Sequence, residues 1–157
     1  MKPAPLLRIV PPLWFFFFLV IGLLLHFLVP ATHVFNFSYS LPGAIIGGII
    51  FIAGWAITLR ASALFKIENT EILPTSPANR ALVTYGPFRF SRNPMYLGMI
   101  MNLLGIAVYL GTLPMFISAL AHFMVLNFFF IPFEEEKMAR QFGEQYAAYR
   151  RTVRRWL

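Results

Sequence analysis

The sequence predicts an all-α integral membrane protein: four transmembrane helices and a C-terminal amphipathic cytoplasmic helix, in a single membrane domain over residues 1–157. Two observations predict it. The first is composition, with 59% of the 157 residues hydrophobic and 12% charged, half the roughly 25% charge of a soluble domain. The second is charge clustering. Between Arg8 and Arg60 lie 51 uncharged residues, and between Arg92 and Glu134 another 41. At roughly 20 apolar residues per span, each gap holds two helices and a turn. In a soluble domain the net charge of +7 would suggest nucleic acid. Here the basic residues read first as topology signals, and no nucleic-acid partner is expected. The chain has no Cys, which excludes a disulfide framework, a thiolate metal site and a thiol nucleophile. Three isolated His residues make no metal-ligand spacing, so no metal is expected.

The first span covers about 13–29. Its apolar run from Leu13 to Val29 exceeds the roughly 7–15 residues of a signal-peptide core, and no good cleavage site follows; a retained helix is expected. The second span, about 41–59, carries Gly43 and Gly47 four apart, with Gly48 and Gly54 beyond. Such spacing allows close helix approach, so this span reads as packing. The third, about 95–110, and the fourth, about 113–133, are joined by the tight Gly111-Thr112-Leu113-Pro114 connection and should form a helical hairpin. Pro30, Pro42, Pro94 and Pro132 fall at or near span ends, where helix breakers belong. Asn102, His122 and Asn127 lie at membrane depth. Each is either an interhelical hydrogen bond or a functional group, and both readings stay open.

Beyond Glu134 the pattern changes. Apolar residues recur at Met138, Phe142, Tyr146, Tyr149, Val153 and Trp156, one stripe of an amphipathic helix with charges opposite. Glu136 precedes Arg140 by four, a pair worth a few tenths of a kcal/mol. Gly143 weakens the helix by about 1 kcal/mol relative to Ala and marks a candidate break. The basic face suits an interfacial helix lying on anionic lipid. All 13 Lys and Arg fall in the N-terminal segment, in residues 60–94 or in this tail, and the loops 31–40 and 111–114 hold none. By the positive-inside rule both termini and the 60–94 segment are cytoplasmic. All six acidic residues share that side, so polar chemistry belongs at the cytoplasmic face.

Two polar blocks flank the hairpin. The first is Gly86-Pro87-Phe88-Arg89-Phe90-Ser91-Arg92-Asn93-Pro94-Met95-Tyr96-Leu97-Gly98; the second is Glu134-Glu135-Glu136-Lys137-Met138. The hairpin returns the chain to one side, so arginines and carboxylates meet at a membrane edge beside Tyr96. Taken by itself, a charge run of this kind is also what a solvated rim looks like.

The wording of the blocks resembles the isoprenylcysteine carboxyl methyltransferase and phospholipid methyltransferase superfamily, small integral membrane enzymes. Its members carry approximately Gly-x-Tyr-x-x-x-Arg-His-Pro-x-Tyr-x-Gly, a Glu-Glu pair after a helical hairpin, and then Phe-Gly-x-x-Tyr. The match covers about residues 81–155, and the preceding Thr70, Pro74 and Pro77 with Leu82-Val83-Thr84 look like the bacterial branch. That branch implies a bacterial inner membrane. Asn93 stands where eukaryotic members have His, Phe88 replaces a Tyr, Met138 replaces a Leu, and Arg154 stands where a Pro often follows the Val.

The resemblance implies S-adenosyl-L-methionine as cofactor, held by residues of about 70–98 and 134–157. It implies Arg92, Tyr96 and Glu135 as catalytic residues, and Arg89, Arg92, Asn93, Pro94, Tyr96, Gly98, Glu134, Glu135 and Tyr146 as cofactor-binding ones. The chemistry fits. Arg92, with Arg89 second, can hold the cofactor carboxylate by a charge-assisted fork. Glu135 or Glu134 can accept from its ammonium or ribose hydroxyls. Tyr96, Phe88 or Tyr146 can flank the adenine or approach the sulfonium. A polar cofactor enters from the cytoplasm while a lipophilic or lipidated acceptor arrives sideways among membrane lipids.

By resemblance the acceptor is a prenylcysteine-type carboxylate or a phospholipid amine, with other small lipophilic amines, acids and thiols open. Acceptors already ionised at neutral pH need no general base, whereas an ammonium must first lose a proton. Asn93 cannot titrate near neutrality, which favours carboxylate or thiolate. A reading of another class, a non-catalytic lipid-binding or assembly subunit with a basic tail, explains the hydropathy equally well. It does not explain why Arg-Asn-Pro-x-Tyr and Glu-Glu bracket the hairpin.

Overall fold

The computed structural model describes residues 10–29, 33–34, 39–70 and 80–157. Helices dominate: α1 (Pro11–Leu28), α2 (Leu41–Ile67), α3 (Pro94–Leu110), α4 (Leu113–Val125) and α5 (Ile131–Thr152), with a π-helical turn Leu126–Phe130 joining the last two. Among the described residues there is no strand, only an isolated bridge between His33 and Thr112. All five α-helices carry Pro in their first two positions, where the missing N–H costs no intrahelical bond. Ser40 accepts from the Gly43 N–H at 3.3 Å and caps α2. Pro74, Pro77 and most of the 31–40 loop lie outside the described residues.

Three helical runs are long and apolar enough to cross a membrane: Pro11–Leu28, Leu41–Ile67 and the 40-residue Leu113–Thr152, while α3 is a shorter apolar helix. α2 continues past the expected end at 59 to Ile67, carrying Arg60 and Lys66 beyond the apolar stretch. Phe16, Phe17, Val20 and Leu24 on α1, and Leu41, Ile45, Ile49 and Ile52 on α2, point outward. Apolar groups on the outside and small or polar groups inside are what a lipid solvent selects. The protein is an integral membrane protein.

The tightest packing is the α2–α3 crossing. A Cβ at Gly47 would lie 2.5 Å from the Gly105 carbonyl oxygen, and one at Gly105 2.6 Å from that of Gly47. Gly54 and Gly98 repeat the arrangement two turns along, with the Gly98 carbonyl oxygen 2.6 Å from a Cβ at Gly54. Of the four glycines of the second span, Gly47 and Gly54 make this seam, while Gly48 faces open space.

α1 packs instead on α4, where Ser118 donates to the Phe18 carbonyl. His122 is fully buried there beside the Phe15 and Phe18 rings. Both its ring nitrogens, like Asn102 Oδ1 toward α2, lack a hydrogen-bond partner among the described residues. At the far end of the bundle His26 hydrogen-bonds Thr112 Oγ1 at 3.0 Å and Tyr39 at 2.7 Å. Gly111, at φ 65°, caps α3 in the left-handed region and turns the chain into α4.

The fourth span and the tail form one helical run. Pro132 has no N–H for the carbonyl four residues back, and just before it the Ile131 N–H reaches the Leu126 carbonyl, five back. The run bends at Gly143 (φ 50°, ψ −121°), a conformation only glycine adopts readily. The tail's apolar stripe does not lie on lipid as the basic face suggested. Met138, Phe142, Tyr146, Tyr149 and Val153 pack on Ala61, Val83 and Phe88, from both sides of the bend at Gly143.

Candidate functional site

The 80–93 segment returns the chain from α2 to α3. Its 3-10 turn Gly86–Arg89 buries Phe88, whose carbonyl accepts from the Tyr149 hydroxyl at 2.7 Å. Pro94 forces the residue before it out of helical geometry, so Asn93 is the N-cap (φ −128°, ψ 53°) and Arg92 leaves at an angle to α3. Across from it, Glu134 and Glu135 open the charged part of α5. Successive helical residues point about 100° apart, so the pair faces two ways.

Glu135 faces the arginines. Arg92 donates to its Oε1 from Nη2 at 2.6 Å and Nε at 3.2 Å, and Arg155 donates to its Oε2 at 2.7 Å. Glu135 is 7% exposed. Burial works against its ionised form, but the Arg155 and Arg92 hydrogen bonds outweigh it and hold the carboxyl below its ordinary range. Glu134 faces Tyr96, whose hydroxyl donates to it. Here burial wins over that bond and over the Lys137 charge, and pushes the carboxyl up to about 7. Burial, with Glu135 second, pushes Tyr146 up to about 12.

These groups line a cavity of about 1130 Å³, adjoining open solvent included. The polar part of its wall is Arg92, Asn93, Tyr96, Glu134, Glu135 and Lys137. The apolar part is built from Val10, Pro11 and Pro12 at the start of α1, Phe65, Val83, Met99 and Met138, with the rings of Phe88, Tyr146 and Tyr149 beside them. Such a space can take a ligand with one charged and one aromatic or aliphatic end.

Of the residues the sequence singled out, Arg92, Asn93, Pro94, Tyr96, Glu134, Glu135 and Tyr146 reach this cavity. Two do not. Arg89 is exposed at the end of the 3-10 turn, away from the cavity wall. Gly98 belongs to the α2 seam, where Thr58 Oγ1 and the Gly54 carbonyl occupy the space a Cβ would need. Arg92 reaches the cavity with its fork turned inward. Its Nη1 donates to the carbonyls of Val153 at 2.7 Å and Arg150 at 3.4 Å, so with the Glu135 bonds four of its five N–H groups are engaged. Asn93 Nδ2 donates to the Arg155 carbonyl at 3.0 Å. Asn127 accepts from Trp156 Nε1 at 3.0 Å, an interhelix-to-tail bond.

Sequence reasoning missed the α1 contribution, Val10–Pro12, and the part played by Arg155. Neither had a signal: a proline pair before an apolar run reads as a helix start, and one Arg in a basic tail reads as rim charge.

Residues 42–145, about two thirds of the chain, match the family model of phospholipid methyltransferases. A helical membrane bundle with a half-polar, half-apolar cavity beside its hairpin is the kind of scaffold a membrane methyltransferase needs. The chain belongs to the phospholipid methyltransferase family, within the superfamily that the two polar blocks resemble. It is also 35% identical over 63 residues to an uncharacterized protein of Haemophilus influenzae, which covers 40% of this chain and all of that one. No solved structure matches the chain.

Proposed function

We propose that the protein is an S-adenosylmethionine-dependent methyltransferase acting on a lipophilic acceptor at the membrane interface. All four apolar helices then cross the bilayer, with both termini and the cavity on the cytoplasmic face of a bacterial inner membrane. The observation that carries this reading is the joining of the two walls in one cavity at the charged end of the hairpin. The polar wall suits the cofactor, and the apolar wall, continuous with α1 and α3, suits an acceptor arriving from lipid.

The residues present fit the cofactor by the chemistry of the donor set. Glu134 is the carboxylate on the cavity wall that no arginine neutralises among the described residues, and it suits an ammonium or ribose hydroxyls. Phe88 and Tyr146 offer flat apolar faces for the adenine, and a π face near the sulfur favours its positive charge. The cofactor supplies a methyl group already activated on sulfur. The protein therefore has to align the acceptor within about 3–3.5 Å and exclude water, a task the apolar lining suits. Glu135 and Arg92 set the shape and charge of the polar wall, and Arg92 offers one remaining N–H to a ligand.

An acceptor ionised at neutral pH, such as a prenylcysteine-type carboxylate, needs nothing more. A phospholipid or other lipophilic amine is the second reading. The observation favouring it is the place of Glu134 at the cavity wall, facing Tyr96 and no arginine among the described residues, where burial raises its carboxyl and lets it take a proton. Calorimetry of S-adenosylhomocysteine with detergent-purified protein tests the cofactor reading. Saturable binding that Glu134→Gln weakens at least tenfold supports it, and no binding to the unaltered protein returns the chain to the lipid-binding class.

A further inference from the structure

The last residues of the chain line no part of the cavity, yet they touch three residues that do. The Arg92 N–H donates to the Arg154 carbonyl at 3.0 Å, Arg92 Nη1 to the Val153 carbonyl at 2.7 Å, and Asn93 Nδ2 to the Arg155 carbonyl at 3.0 Å. Ser91 Oγ donates to the same Arg155 carbonyl at 3.2 Å. The Arg155 guanidinium holds Glu135 from the side opposite Arg92. One residue on, Trp156 lays its ring against Phe123, centroids 5.1 Å apart, and donates from Nε1 to Asn127 Oδ1. Asn127 sits in the π-helical turn that precedes the glutamates. A helix lying on lipid would turn its Trp outward; here both faces of Trp156's chemistry, ring and N–H, are answered by the protein.

We propose that the C-terminal segment from Val153 to Leu157 is a positioning latch: Trp156, anchored on Asn127, holds Arg155 where it fixes Glu135 and Arg92 in the polar wall of the cavity. The latch rests on the reading of the cavity as a cofactor pocket. It ties the entrance of α3 to the first turns of α5, as Tyr96 on Glu134 also does. Arg and Glu side chains lose much rotamer freedom when ordered. If the chain itself orders them, a ligand that meets this wall does not bear that cost, and its affinity is correspondingly higher.

The test is S-adenosylhomocysteine binding by the full chain in detergent, read beside the ligand-free melting temperature. Trp156→Phe keeps the ring and removes the N–H, and should raise Kd about fivefold, the size of one hydrogen bond. Asn127→Leu should do the same, and the double variant should be no worse than either single one. Arg155→Met should raise Kd more than tenfold, with Arg155→Lys between it and the unaltered protein. Variants that melt earlier yet bind with unchanged Kd would make the tail a structural prop and overturn the latch. Should Asn127→Leu not fold, Trp156→Phe and the Arg155 pair decide alone. Absence of binding by the unaltered protein removes the cofactor reading and the latch with it. Binding that is equal in all variants removes the latch only.

Discussion

α3 is held at two places by contacts of opposite kind. Along its length it meets α2 through Gly47, Gly54, Gly98 and Gly105, backbone on backbone, with no room for a methyl group. At its entrance the 91–93 turn is held by charges and hydrogen bonds from Glu135 and the C-terminal tail. The seam is a steric fit and has one arrangement. The polar junction is a network of charges and hydrogen bonds that the tail holds in order at the cavity. Steric fit and polar order thus sit on one helix, and the cavity lies at the polar end.

The seam should be the more fragile of the two. Gly98→Val should be the most damaging change, costing more than about 3 kcal/mol, because the new side chain meets Thr58 Oγ1 and the Gly54 carbonyl with nothing able to yield. Loss of a monodisperse species on detergent chromatography would show it; a folded Gly98→Val protein would mean the seam is not steric. Glu135→Gln comes next at about 3 kcal/mol, since it leaves Arg92 facing Arg155 without the shared carboxylate. Thermal unfolding without ligand measures it.

Stability should also depend on pH through Glu134. Burial makes the folded protein hold the Glu134 proton more tightly than the unfolded chain does, up to about 7 against an ordinary 4.5. Its contribution to stability is therefore complete below about 4.5 and is lost as pH rises through about 7. Glu134→Gln should flatten the melting-temperature profile over that window, while an unchanged slope would assign the dependence to another group. The smallest effect belongs to the exposed ion pair of Glu136 and Arg140, where Arg140→Ala should change stability by less than about 0.5 kcal/mol.

The same two regions show what a single sequence can and cannot disclose. Glycines at four- and seven-residue spacing, an uncharged hairpin and prolines at span ends are local patterns; the helices start within two residues of where they point, but α2 runs on to Ile67, eight residues past the expected end. Glu134, Glu135 and Arg92 were legible because the hairpin forces its two ends together. Gly98 was read with the site, whereas its space is filled by α2; a glycine beside a polar block looks the same whether a ligand or another helix needs the space. The tail was legible as an amphipathic stripe but not as to what covers it. That depends on the bend at Gly143 and on Trp156 meeting Asn127, contacts between residues 29 apart that no periodicity announces.

The central claim is that this cavity moves a methyl group from a soluble cofactor to a molecule dissolved in the membrane. Membranes containing the protein, incubated with methyl-labelled S-adenosylmethionine and then extracted with organic solvent, test it most directly. The account predicts label in the organic phase with the unaltered protein and none above background with Glu134→Gln made to the same level. Equal organic-phase label from both, or label confined to the aqueous phase with the unaltered protein, would contradict it.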